Sequence, residues 1–247
     1  MEMDRRLAVP GCFNVRDLGG YRSAAGETAW RRLYRADSPH RMEPEGAGLI
    51  RGAGIRTVID LRRPEELVAS PNPFADAAHG IAYHHLPIYD ALDPTAPIFV
   101  SSPDPLLTLY RMALAERGPN FVAVFRTIVG ATDGAVLFHC SGGKDRAGMV
   151  AAMLLRLAGV SDDDIVDDYA ITARYFAPMI EALHAEALRQ GRTPNPSFML
   201  SEPQTMRDFL QTLDQDHGGA EAYLLCHGLT GDEIAALRRR LDPAADI

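Results

Sequence analysis

Residues 135–159 read A-V-L-F-H-C-S-G-G-K-D-R-A-G-M-V-A-A-M-L-L-R-L-A-G. A short apolar run, the length of a buried strand, gives way to a glycine-containing loop and then to an apolar stretch of helical length ended by Gly159. The loop therefore sits at the C-terminal end of a strand and the N-terminus of a helix. Unpaired amides and the helix dipole attract an anion there, and a phosphate suits the place. Gly142 and Gly143 let the backbone approach the anion's oxygens with no Cβ in the way.

The side chains on this loop divide a reaction between them. Cys140 opens it, and the same amides and dipole favour the thiolate, the nucleophilic form of cysteine. Arg146, six residues on, can fold back and offer its planar fork to two oxygens of a transferring phosphoryl group. The departing oxygen needs a proton donor. Asp145, inside the loop, is the first choice, and Asp90, on a separate proline-rich segment, is the alternative. Lys144 is the single lysine among 25 basic residues, which marks a place where a compact ammonium differs from a guanidinium. His139, beside the nucleophile, is expected to orient the loop through a backbone hydrogen bond.

The rest of the chain reads as one α/β domain over 1–247, with a mostly parallel central sheet flanked by helices. Strands are expected at Arg32 to Ala36, Thr57 to Leu61, Ala82 to Leu86 and Ala135 to His139. Helices are expected at Glu43 to Gly52, Leu106 to Glu116 and Asn120 to Thr132. Prolines 87, 94, 97, 103 and 105 mark a long irregular loop, a candidate wall of the site. After Gly159 the pattern is helical. Ser161 is a plausible N-cap ahead of Asp162, Asp163 and Asp164. Two helical pieces follow in Ala173 to Arg189, then a break at Pro194 and Pro196, then Glu202 to Asp214 and a closing helix near Thr230 to Leu241. The helical insertion around 160–200 is large enough to lie over the site as a lid.

Composition narrows the partners. A net charge of −8 argues against a broad nucleic-acid surface, so any phosphate site must be focal. No run approaches the roughly 20 apolar residues of a membrane span, and Met1 to Arg6 is charged with no apolar stretch after it, so stable membrane insertion is not expected and the cytoplasm is the default compartment, with export lacking a cleaved signal left open. Cys12, Cys140 and Cys226 are odd in number and lack zinc-site spacing. Cys12 and Cys226 suit buried apolar thiols. The eight histidines, His84 and His85 included, give no convergent metal set.

The segment H-C-S-G-G-K-D-R-A-G at 139–148 is the Cys-x5-Arg signature of the tyrosine phosphatase superfamily, and its Lys-Asp-Arg ending resembles the atypical bacterial tyrosine and lipid phosphatases. N-V-R-D-L-G-G-Y at 14–21, L-Y-R-A-D at 33–37, V-I-D-L-R at 58–62 followed by Pro64-Glu65-Glu66, and the closing A-Y-L with G-L-T-G-D-E-I extend the resemblance along nearly the whole chain. It implies a metal-independent, cofactor-free protein-tyrosine phosphatase working through a cysteinyl-phosphate. Cys140 is then the nucleophile and Arg146 the clamp; Lys144 and Asp145 share in binding and catalysis, and Ser141, Gly142, Gly143, Ala147 and Gly148 complete the phosphate loop. Asn14, Arg16, Asp17, Asp60 and Arg62 brace the site from below or serve as ordinary turn and salt-bridge residues. A loop lysine is similar to what phosphoinositide phosphatases carry, so lipid head groups join phosphotyrosine and phosphoserine/threonine as candidate substrates. One departure stands out: the residue after the arginine is usually serine or threonine and here is Ala147, which implies a slow release of the thiolate from the phosphoenzyme.

Three other readings compete. A nucleotide-binding P-loop would need glycine at 138 and serine or threonine at 145, where the chain has Phe138 and Asp145. A rhodanese-like sulfurtransferase has less use for the Arg146 spacing. A pseudophosphatase that binds phosphorylated partners without hydrolysing them is the alternative that Ala147 invites.

Overall fold

The computed structural model describes residues 4–90, 92, 102–189 and 200–244. Five strands form one sheet in the order β1-β4-β7-β5-β6: β1 (Arg16–Asp17), β4 (Leu33–Ala36), β7 (Ala135–His139), β5 (Ile55–Asp60) and β6 (Ala82–His85). All neighbours run parallel except the edge strand β1, which is antiparallel to β4. A separate two-stranded hairpin, β2 (Arg22–Ser23) with β3 (Gly26–Glu27), was not legible in the sequence.

Alternation along β7 explains why it lies at the centre. Val136 and Phe138 face one apolar layer, and Ala135 and Leu137 face the other. A strand covered on both faces must be apolar throughout, and all five of its residues are buried. One layer contains α1 (Gly46–Gly52), with Ile50, Phe74 and Ile81 packed under the sheet. The larger layer is built from α3 (Pro105–Glu116), α4 (Gly118–Gly130), α5 (Asp145–Leu157), α6 (Asp162–Ala170), α8 (Pro203–His217), α9 (Gly219–Cys226) and α10 (Gly231–Leu241).

Most expected elements appear with ends shifted by a few residues, as helix and strand termini are set by hydrogen bonds that the apolar pattern does not encode. The first helix begins at Gly46 rather than Glu43. Besides the β2–β3 hairpin, β1, α2 (Pro64–Ala69) and α9 went unread. Ala173 to Arg189 is one helix, α7 (Thr172–Arg189), which carries Pro178 inside it. Ser161 does cap α6, accepting from the backbone N–H of Asp164, and Thr230 forms a capping box with Glu233 at α10. Pro194, Pro196 and most of the Pro87 to Pro105 loop lie outside the described residues. Among the described residues no helix is long and apolar enough to cross a membrane. Cys12 is half-buried, its thiol pushed up to about 12 by burial. Cys226 corrects an expectation: it is exposed at the end of α9, because that helix turns its Tyr223 and Leu224 inward instead.

The topology fixes where chemistry can occur. β7 lies between β4 and β5, and the parallel strands of this sheet deliver their C-terminal ends to one edge, where open α/β sheets place their ligand crevices. Phe125 of α4 is fully buried in the larger layer. Phe125→Ala is expected to lower unfolding free energy by about 3–5 kcal/mol in urea titrations, with the denaturant slope unchanged.

Candidate active site

The loop between β7 and α5 starts at Cys140, which is 2% exposed. Its shape depends on where its carbonyls go. The Cys140 carbonyl accepts from Nδ1 of His139 (3.1 Å). That of Ser141 accepts from the Ser38 backbone N–H (3.0 Å), and that of Gly142 from Nδ2 of Asn14 (2.9 Å). The carbonyls of Gly143 (2.6 Å) and Lys144 (3.1 Å) both accept from Nη2 of Arg35. Five consecutive carbonyls are thereby tied to the body of the protein. In contrast, the backbone N–H groups of Ser141, Gly142, Gly143, Asp145 and Arg146 find no acceptor among the described residues. Gly143 has φ +65, and a Cβ there would fall 2.5 Å from the Ala36 carbonyl carbon, so this position requires glycine for both conformation and space.

The bracing residues sort into four groups. Asp60 ends β5 in register with His139 of β7 and receives Nε (2.9 Å) and Nη2 (2.7 Å) of Arg62 together with Nδ2 of Asn72 (2.8 Å). Burial works to raise its pKa, but the Arg62 cation and the hydrogen bonds from Arg62 and Asn72 outweigh that and hold it below the ordinary carboxylate range. Nδ2 of Asn72 also lies 2.8 Å from Nε2 of His139; with that nitrogen accepting, Nδ1 carries the proton and donates to the Cys140 carbonyl. Burial lowers the His139 pKa to about 4, in keeping with a neutral ring. Asp37 accepts from the backbone N–H groups of Phe13 and Asn14, which fixes the turn that aims Asn14 at the loop. Asp17 accepts from the N–H groups of Gly19 and Arg31 and holds a turn away from the loop. Arg16 joins Arg35 on the buried carboxylate of Asp168.

Glu66 is the residue that the sequence quoted without assigning a role. It sits in α2 and receives Nη1 (2.5 Å) and Nη2 (3.0 Å) of Arg146, the backbone N–H of Arg63 (2.8 Å) and the hydroxyl of Ser141. Burial alone would raise its pKa, yet Arg146 and Ser141 bring it down to about 2. This bidentate pairing fixes the plane of the Arg146 guanidinium. Burial also disfavours the Arg146 cation, but Cys140 and Glu66 more than compensate. Its Nε, buried, has no acceptor among the described residues.

A cavity of about 380 Å³ opens over the loop. Ser141, Gly142, Lys144 and Asp145 line it beneath, Ala69, Phe176 and Ile180 give it an apolar wall, and His40 and Arg41 contribute to another side. Phe176 and Ile180 come from α7, so the region after 160 supplies part of the cavity wall, steadied by an edge-on contact of Phe13 with Phe176. Lys144 donates to the Leu200 carbonyl (2.8 Å) and lies 3.4 Å from Asp145. Asp145 accepts from Tyr110 (2.6 Å), which also meets the hydroxyl of Tyr169. Asp90 is paired with Arg117 at 3.3 Å and does not line the cavity. Ala147 and Gly148 lie in the first turn of α5, buried and off the cavity lining; at Gly148 a Cβ would sit 3.2 Å from Nη2 of Arg35.

Comparison with known proteins gives the chain's family. The model of the tyrosine phosphatase family matches residues 7–242. A tyrosine-protein phosphatase of Nostoc commune is 34% identical over 199 residues, covering 77% of this chain and 67% of the relative. The triple specificity protein phosphatase PtpB of Mycobacterium tuberculosis is 26% identical, covering 93% of this chain and 96% of that one. Among solved structures, P. aeruginosa TpbA aligns with a TM-score of 0.42 at 16% identity over 81% of this chain and 88% of that one.

The neutral buried imidazole has a consequence for stability. The folded pKa of His139, about 4, lies below its ordinary 6.5. Between those values the unfolded chain binds more protons, so stability falls as pH drops from about 6.5 towards 4. His139→Asn is expected to flatten that part of the melting-temperature profile; equal slopes for both proteins would refute the assignment.

Proposed function

The chain belongs to the tyrosine phosphatase family, and from that premise we propose that Cys140 and Arg146 hydrolyse phosphomonoesters in two steps through a cysteinyl-phosphate. One observation carries the residue assignment. The loop's carbonyls are tied back, while five of its backbone N–H groups and Nε of Arg146 have no acceptor among the described residues. Nε of Arg146 is buried, and a buried donor left unmatched costs about 1–3 kcal/mol; the oxygens of a phosphoryl group are the acceptors that such a set fits.

In the first step the Cys140 thiolate forms a bond to phosphorus as the bond to the ester oxygen breaks. The amides and Arg146 stabilise the charge on the equatorial oxygens, as preorganised donors do. Asp145 gives its proton to the departing oxygen. In the second step a water attacks phosphorus, its proton returns to Asp145, and the sulfur leaves as thiolate with release of inorganic phosphate. The position of Asp145 on the cavity, against Asp90 held by Arg117, supports Asp145 as the acid. Ser141, Gly142, Gly143 and Lys144 contribute the loop itself, and Glu66 keeps Arg146 oriented.

The apolar wall of Ala69, Phe176 and Ile180 supports an aromatic leaving group, so phosphotyrosine in a protein is the substrate we favour. Lys144, with Arg41 also lining the cavity, supports phosphoinositide head groups as a second class.

Phosphate release from p-nitrophenyl phosphate and a phosphotyrosine peptide is expected to persist in EDTA and to be abolished in Cys140→Ser. Binding of the peptide by wild type with no release would favour the pseudophosphatase reading instead. For the proton donor, Asp145→Asn is expected to slow phenyl phosphate hydrolysis by about 10²–10⁴-fold and p-nitrophenyl phosphate far less, since that leaving group needs no proton. The same pattern in Asp90→Asn, with Asp145→Asn unaffected, would reverse the assignment.

A further inference from the structure

Behind the loop, on the side away from the cavity, lies a fully buried charge cluster outside the quoted motifs at its centre. Asp168, in the last turn of α6, is 3% exposed. Its carboxylate receives Nε of Arg16 (2.8 Å), Nη1 of Arg35 and the hydroxyl of Tyr21 (2.9 Å), and its main-chain carbonyl receives Nη2 of Arg16 (2.7 Å). Each arginine then reaches forward. Arg35 uses Nη2 on the carbonyls of Gly143 and Lys144. Arg16 uses Nη1 on Oδ1 of Asn14, which forces the amide of Asn14 to turn its Nδ2 to the Gly142 carbonyl.

We infer that Asp168 is a positioning residue for phosphate binding, setting through Arg35 and the Arg16–Asn14 pair the direction of three consecutive loop peptides. The inference rests on the proposed role of the loop as the phosphate site. Two guanidiniums buried side by side repel each other, and one carboxylate between them fixes both orientations. Without that charge, Arg35 is drawn off the axis that joins Asp168 to the loop, and Asn14 loses the contact that sets its amide. The carbonyls of residues 142–144 are then free to rotate towards the cavity, where each would repel a phosphate oxygen and withdraw an N–H from it. Burial raises the pKa of Asp168, but Arg16 and Arg35 outweigh it and keep the group ionised, so the device does not switch off with pH in the neutral range.

The test compares wild type, Asp168→Asn and Arg35→Lys, measuring kcat, KM for p-nitrophenyl phosphate and the dissociation constant of inorganic phosphate by calorimetry. Melting curves define a temperature at which each protein is folded. Asn keeps the shape of Asp168 and removes its charge. Lys keeps a cation on Asp168 but cannot also bridge two carbonyls. Both variants are expected to bind inorganic phosphate at least about tenfold more weakly, with KM rising in parallel. Tyr21→Phe, which removes one neutral donor and neither tether, is expected to change phosphate affinity much less. A lowered melting temperature with phosphate affinity and KM unchanged in the folded variants would make Asp168 purely structural and overturn the inference. If Asp168→Asn fails to fold, Arg35→Lys alone decides, since unaltered phosphate affinity there contradicts the tether. Wild type that itself binds no phosphate would overturn the proposed function, a result distinct from either.

Discussion

A peptide that turns its N–H towards an anion must turn its carbonyl away, and the buried carbonyl then needs a donor of its own. That geometric coupling governs this structure. The five carbonyls from 140 to 144 in the loop between β7 and α5 accept from His139, Ser38, Asn14 and Arg35 on the other side, and only that leaves the loop's amides to gather around the proposed phosphate. Much of the N-terminal half serves this end: β4 delivers Arg35 and the turn with Asp37, β5 delivers Asp60, and the segment before β1 delivers Asn14.

The same arrangement reconciles an acidic chain with an anion site. Net charge is −8, yet the buried arginines around the loop are each paired with a carboxylate: Arg62 with Asp60, Arg16 and Arg35 jointly with Asp168, Arg146 with Glu66. The pairings keep buried guanidiniums in fixed orientation at a tolerable desolvation cost, because breaking such a pair leaves an uncompensated charge inside the protein. On the proposed function, affinity for phosphate then comes from oriented donors more than from bulk positive charge, which is why the composition gave no hint of a basic surface. Glu66 has a double effect. It neutralises part of Arg146, and it holds the guanidinium plane so that Nε is presented without an internal acceptor.

The central features were readable because they are local. The strand-loop-helix of 135–159 brings Cys140, Arg146 and two glycines within a few residues, and the apolar run of β7 marks a doubly covered strand. The partners of that loop were harder to read. Glu66 and Asp168 meet it from α2 and α6, and a single charged residue on a short helix looks the same in sequence whether it faces solvent or a buried arginine. Asn14 and Arg16 stood out by resemblance, but their use, as links to the Gly142 carbonyl and to Asp168, depends on a long-range contact across more than a hundred residues. Asp90 was a reasonable candidate by its loop; its pairing with Arg117 could not be foreseen from spacing. The buried state of Ala147 at the start of α5 leaves the observation made in the sequence intact: no hydroxyl stands at that position.

The most direct test of the mechanism is to trap the phosphoenzyme. Wild type mixed rapidly with a radiolabelled phosphotyrosine peptide and quenched in denaturant, then digested, should yield label on the peptide containing Cys140, because Ala147 gives the departing thiolate no hydroxyl to receive it and the second step is therefore predicted to be slow. Label on another residue and none on Cys140 would contradict nucleophilic attack by this cysteine, whereas product formed with no labelled enzyme at any quench time would contradict the slow second step.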